Sequence, residues 1–175
     1  MYIKNLKGRV KMFRAAIVCM SDKGYKGERE DISSNVIEEI LLKNSYTITE
    51  KIIIPDEYSL IKDTLKNICD SNLADLIITT GGTGFSKRDV TPEATLEVCD
   101  KVVPGIPEAI RAYSMTITKR AMLSRSAAGI RKNTLIINLP GSPKAVRESL
   151  EYIISTLNHG LEILVGSASD CARKE

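Results

Sequence analysis

Apolar runs and helical periods alternate along this chain, and the alternation predicts its architecture. Residues 15–20 are six consecutive apolar side chains and read as a buried strand, followed by a polar loop over 21–30. Val36, Ile37, Ile40 and Leu41 then recur at helical spacing. A stretch rich in β-branched residues over 47–54 predicts a second strand, and Ile61, Leu65 and Ile68 place one apolar face on a helix after Ser59. Residues 75–80, with the apolar run Leu76-Ile77-Ile78 at their centre, read as a third, buried strand. Helices are expected at 92–100 and 107–118, and a short strand at 134–138. The last helix opens with Ser142 as cap and Pro143 in the first position. Its stripe of Val146, Leu150, Ile153, Leu157, Leu161 and Leu164 reads as packing onto a sheet. Strand, helix, strand, helix in this rhythm predicts an α/β domain with a largely parallel sheet.

Parallel sheets of this kind bind ligands beyond the carboxyl ends of their strands. Four loops meet that condition: Ser21-Asp22, the turn holding Asp56, residues 81–89, and residues 139–142. They are distant in sequence and are expected to converge on one rim as one composite site. The third loop carries the most chemistry. Gly81, Gly82, Thr83 and Gly84 let the backbone approach an anion closely and turn N–H groups towards it. The loop has neither a Gly-Lys-Ser/Thr ending nor a Gly-x-Gly-x-x-Gly spacing, so the glycines point to an anion without naming it. Thr91 is expected to cap the following helix with Pro92 at its first position, which leaves Asp89 just outside, where a carboxylate reaches a metal ion.

Asp56 and Asp89 can each ligate Mg²⁺ together with phosphate oxygens and water. Their bland alternatives are a turn residue after Pro55, and a salt bridge from Asp89 to Arg88 or Lys87. Asn138, Pro140, Gly141 and Ser142 offer backbone donors at a helix start and one side-chain amide, or else a plain capped turn. Ser124, Arg125 and Ser126 add hydroxyls and a fixed charge, with Arg125 expected on an anionic ligand and helix capping as its alternative.

Composition narrows the class. A length of 175 residues suits one domain, and 43% apolar with 27% charged residues is ordinary for a globular chain. The net charge of +3 is too small to argue for nucleic acid. No apolar run approaches the ~20 residues of a membrane span. Lys4, Lys7, Arg9, Lys11 and Arg14 make the start basic without a secretory pattern, so residues 1–12 are expected to be an extension, with Met12 as an alternative start, and 13–175 a single domain. Cys19, Cys69, Cys99 and Cys171 are widely spread and read as thiols in a reducing cytoplasm. His159 is the single histidine and reads as structural, which discounts hydrolase triads.

The run Thr79 to Thr95, TTGGTGFSKRDVTPEAT, resembles the signature of the molybdopterin adenylyltransferases of molybdenum cofactor biosynthesis: the bacterial Mog proteins, the plant G domain and the amino-terminal domain of gephyrin. Ser21-Asp22, Ile54-Pro55-Asp56-Glu57, residues 121–131 and residues 135–143 follow in family order, so the resemblance runs from about Phe13 to about Leu164. It implies a three-layer α/β sandwich with a mostly parallel sheet. It also implies molybdopterin and ATP as substrates and Mg²⁺ organised by Asp56 and Asp89. The loops 81–84 and 138–142 would hold the ligands. Family members are commonly homotrimers and hand their product to a molybdenum insertion protein. A MoaB-like accessory binder is the nearest alternative and a non-enzymatic scaffold a more distant one; the run from Arg88 to Glu93 favours the Mog side. One departure stands out: where relatives read acid-x-Ser-Gly, this chain has Asp31-Ile32-Ser33-Ser34, a serine without easy access to positive φ.

Overall fold

The computed structural model describes residues 12–166. The basic leader through Lys11, the question of Met1, and Cys171 lie outside the described residues. Six strands form one sheet in the order β2-β1-β3-β6-β5-β4. β1 (Phe13–Met20), β2 (Tyr46–Ile54), β3 (Leu76–Thr80) and β6 (Thr134–Leu139) are mutually parallel, whereas β5 (Ala128–Arg131) and β4 (Lys101–Val102) extend the sheet antiparallel. Between β1 and β2 the register slips at Ala15/Ala16, where Thr49 Oγ1 donates to the Ala15 carbonyl at 3.2 Å.

The two-residue period of the strands divides the core. Phe13, Ala15, Ile17, Leu76, Ile78, Leu135 and Ile137 face α2 (Ile32–Lys43), α5 (Gly105–Met115) and α6 (Pro143–Leu164). Ala16, Val18, Met20, Ile77 and Ile136 face α3 (Tyr58–Asp70) and α4 (Thr91–Val98). The result is the expected three-layer α/β sandwich, with helices covering both faces of a mainly parallel sheet.

Several local expectations need correction. The polar stretch after β1 contains a short helix, α1 (Asp22–Tyr25), capped by the Ser21 hydroxyl, which accepts from Gly24 N–H at 3.0 Å. Thr91 is not a cap: α4 begins on it, Val90 takes the cap position, and the Thr91 hydroxyl is buried with no partner among the described residues. Ser142 does precede α6, but its side chain makes no capping bond. Ser34, in place of a family glycine, sits inside α2 with its N–H bonded to the Asp31 carboxylate at 2.9 Å, so no positive φ is required there.

Candidate functional site

β1, β2, β3 and β6 all deliver their loops to the same edge. A cleft of about 780 Å³ opens there, lined by Ser21, Asp56, Gly81, Gly82, Thr83, Gly84, Asp89, Pro140, Gly141 and Ser142. Packing dictates the glycines. Gly81 has φ +94°, and a Cβ on it would fall 2.3 Å from the Met20 carbonyl oxygen. Gly82, at φ +64°, lies so close that a Cβ would sit 2.2 Å from the Thr91 hydroxyl and 3.3 Å from Asp56 Oδ1; one on Gly84 would meet Asp89 Oδ2 at 2.8 Å. The missing side chains are what let both carboxylates approach the loop.

The hydrogen bonding of two loops is one-sided. The carbonyls of Gly82, Thr83 and Gly84 accept from Thr91 N, Arg125 N and Arg125 Nε. Those of Pro140 and Gly141 accept from the Thr80 and Ser33 hydroxyls at 2.7 and 2.9 Å. The N–H groups of Gly82, Thr83, Gly84, Gly141 and Ser142 bond to no described residue. Carbonyls tied down behind two cleft-lining loops, with their amides spare, make a ready cradle for anionic oxygens.

The acids are coupled in turn. Asp22 N–H donates to Asp56 Oδ2 at 2.9 Å, and Asp56 N–H donates back to Asp22 Oδ1 at 3.1 Å. Asp89 Oδ2 accepts from Ser86 N–H at 3.0 Å, while Asp56 Oδ1 and Asp89 Oδ1 have no hydrogen-bond donor among the described residues. Burial, and after it the charges of Asp22 and Asp89, push the Asp56 carboxyl up, with the Asp22 N–H bond opposing. Asp22 is held below the usual carboxylate range, chiefly by its bonds from Arg88.

Other expected residues have different surroundings. Asn138 is fully buried. Its amide donates to the Thr79 and Thr95 hydroxyls at 2.9 Å each, and its oxygen accepts from Ala127 N–H, so it clamps β6 to β3 and α4. Arg125 grips the glycine loop through the carbonyls of Gly84 and Asp89 and pairs with Glu93. Ser124 and Ser126 bond to one another at 2.9 Å, and Ser124 borders a neighbouring cavity of about 300 Å³ that shares Thr83, Gly84 and Pro140 with the cleft. Arg88 pairs with Asp22 and Glu57 rather than with its neighbour Asp89.

Sequence reasoning missed Arg29, Glu30 and Asp31, which line the cleft from the segment before α2. Arg29 is the single cation among the lining residues, against the carboxylates of Glu30, Asp31, Asp56 and Asp89. Only its position in a polar loop on the carboxyl edge of the sheet hinted at it.

Fold and site together define a class: an α/β protein whose glycine-rich loop, spare backbone amides and paired carboxylates suit phosphate groups at the carboxyl edge of a parallel sheet. Residues 16–159 match the family described as the probable molybdopterin binding domain, and the chain belongs to that family. It is 42% identical over 153 residues to the molybdopterin adenylyltransferase of Helicobacter pylori strain J99, covering 86% of this chain and 87% of that one. Against the molybdopterin adenylyltransferase of Escherichia coli K12 the identity is 42% over 142 residues, 80% of this chain and 73% of the other. Among solved structures, the molybdopterin biosynthesis enzyme MoaB of Thermus thermophilus superposes with a TM-score of 0.84 at 46% identity, covering 89% of this chain and 98% of its own. The Mog protein of Mycobacterium ulcerans does so with 0.82 at 33%, covering 89% and 99%.

Proposed function

We propose that this chain is a molybdopterin adenylyltransferase: it binds ATP with Mg²⁺ and molybdopterin, transfers AMP to the terminal phosphate of molybdopterin, and releases pyrophosphate. The observation that carries this reading is the meeting of two loops with spare amides and two carboxylates, in a chain 42% identical to proteins of that name over most of its length.

A phosphate oxygen of molybdopterin attacks the α-phosphorus of ATP, a new P–O bond forms, and the bond to the departing pyrophosphate breaks. Negative charge on these phosphates must be held in fixed positions for that to happen. The amides of Gly82, Thr83 and Gly84 and those of Gly141 and Ser142 do so from two sides. The Ser21 hydroxyl and the Asp22 N–H fix the first loop and, through Asp56, the second. Among the described residues no three His, Cys, Asp or Glu side chains stand together as a metal cage. A Mg²⁺ brought in with the nucleotide would need only one or two protein carboxylates. Asp56 and Asp89, each with an oxygen free of described donors, are the residues that would hold it. Once bound it would supply positive charge beyond that of the single lining arginine, Arg29.

The proposal extends to a cytoplasmic homotrimer that passes its product to a molybdenum insertion protein. Exposed Met115, Ile117, Met122 and Leu123, on α5 and the turn after it, support a subunit interface there. No described helix is long and apolar enough to cross a membrane, and the acidic lining of the cleft argues for small-molecule substrates over nucleic acid. The match over 16–159 supports one domain beginning near residue 13.

The second reading is the MoaB-like one that the resemblance left open, an accessory molybdopterin binder that performs no transfer, and this chain is 46% identical to a Thermus protein that carries the MoaB name. Pyrophosphate release separates the two. The transferase reading expects pyrophosphate only when molybdopterin and MgATP are both present. Pterin binding without pyrophosphate would establish the accessory role instead.

A further inference from the structure

Arg88 is the side chain whose contacts the proposed reaction leaves unassigned. It belongs to the glycine-rich loop, immediately before Asp89, yet it reaches across to two other loops. Its Nε donates to Asp22 Oδ2 at 3.0 Å and its Nη2 to Asp22 Oδ1 at 2.8 Å, a two-pronged grip on one carboxylate. Its Nη1 donates to Glu57 Oε1 at 2.8 Å, in the loop after β2. Asp22 and Asp56 then exchange backbone N–H bonds at 2.9 and 3.1 Å. One guanidinium therefore ties the first, second and third loops into a closed circuit, Arg88 to Asp22 to Asp56 to Glu57 and back. Asp89 sits on that circuit through its peptide link to Arg88.

We infer that Arg88 is a positioning residue that fixes the Asp56 carboxylate relative to Asp89. Magnitudes favour this over a stabilising role. The Arg88 side chain is 47% exposed, and exposed ion pairs contribute little to global stability. Misplacing a reacting group by about 1 Å, by contrast, costs on the order of 100-fold in rate. The fork also needs arginine, because lysine offers a point charge and no second parallel N–H to Asp22.

The inference rests on the adenylyl-transfer reading, so its test carries one arm that does not. Arg88→Met and Arg88→Lys are compared with the wild type in backbone amide exchange, in melting temperature, and in steady-state transfer with molybdopterin and MgATP. In the ligand-free Arg88→Met protein the Asp22 and Asp56 amides are expected to exchange about tenfold faster or more, with melting almost unchanged. In transfer, kcat is expected to fall about 100-fold with KM for ATP little altered, and Arg88→Lys to rescue neither readout. Unchanged exchange and unchanged kcat in Arg88→Met would overturn the inference. A raised KM at normal kcat would also overturn it, by making Arg88 a substrate contact. Should the wild type transfer no AMP, the functional reading falls, while the exchange arm still shows whether Arg88 holds the two acid loops together.

Discussion

Asp56 stands where burial and two neighbouring negative charges act on one carboxyl. Its folded-state pKa lies above the ordinary value, so its contribution to stability is present below the ordinary carboxylate range and is lost as pH rises through the raised pKa. At pH 7 the ionised side chain therefore strains the fold it serves. Asp56→Asn can still accept the Asp22 N–H bond and sheds the charge. That variant is expected to melt above wild type at pH 7, to lose the advantage near pH 4, and to lose adenylyl transfer. Thermal melts at the two pH values check this, and a lower melting point at pH 7 would contradict it. Arg29, alone among cations on the cleft wall, is expected to meet substrate phosphate: Arg29→Ala should raise KM for ATP several-fold, and unchanged kinetics would put it outside the site. At this scale the sequence was legible for residues whose type forces a backbone shape, such as Gly81 and Gly82. It did not foretell where a polar side chain has a partner far along the chain. Asn138 and Arg125 carry groups suited to a ligand, yet the amide is consumed by Thr79 and Thr95 and the guanidinium is held by loop carbonyls.

Elements with a long apolar stripe or a dense β-branched run were readable from their period alone. α6 is the clearest: Val146, Leu150, Ile153, Leu157 and Leu161 are all buried against the sheet or its helical neighbours. Leu150 is fully buried, so Leu150→Ala is expected to cost about 2–5 kcal/mol. That corresponds to a fall of roughly 4–20 °C in melting temperature for a chain of this size. A shift within experimental scatter would mean α6 is not part of the core. Short elements were invisible for a physical reason. α1 has four residues and buries none, and β4 has two exposed residues. β5 contains Gly129, where a Cβ would fall 2.5 Å from Cys99 Sγ. Small side chains there serve close packing, which leaves no hydrophobic signal to read. The displaced cap of α4 has the same kind of cause: Thr91 looks like a cap by type, but its buried position beneath Gly82 assigns the cap to Val90.

The topology of the whole molecule decides what those elements can do. Four parallel strands send their carboxyl ends to one edge, so acids, glycines and helix starts from Ser21 through to Ser142 meet around one cleft. That convergence followed from the strand–helix rhythm. The acidity of the lining did not, because a net charge of +3 on the chain gives no hint of a wall where carboxylates outnumber arginine. His159 lies exposed on α6, outside the cleft lining, and its replacement is expected to leave transfer nearly untouched. The most direct measurement is mass spectrometry of molybdopterin after incubation with MgATP and three proteins: wild type, Asp89→Ala and His159→Ala. An AMP adduct is predicted with wild type and His159→Ala, and none with a folded Asp89→Ala. Normal adduct from Asp89→Ala would contradict the assignment of the cleft as the site of transfer.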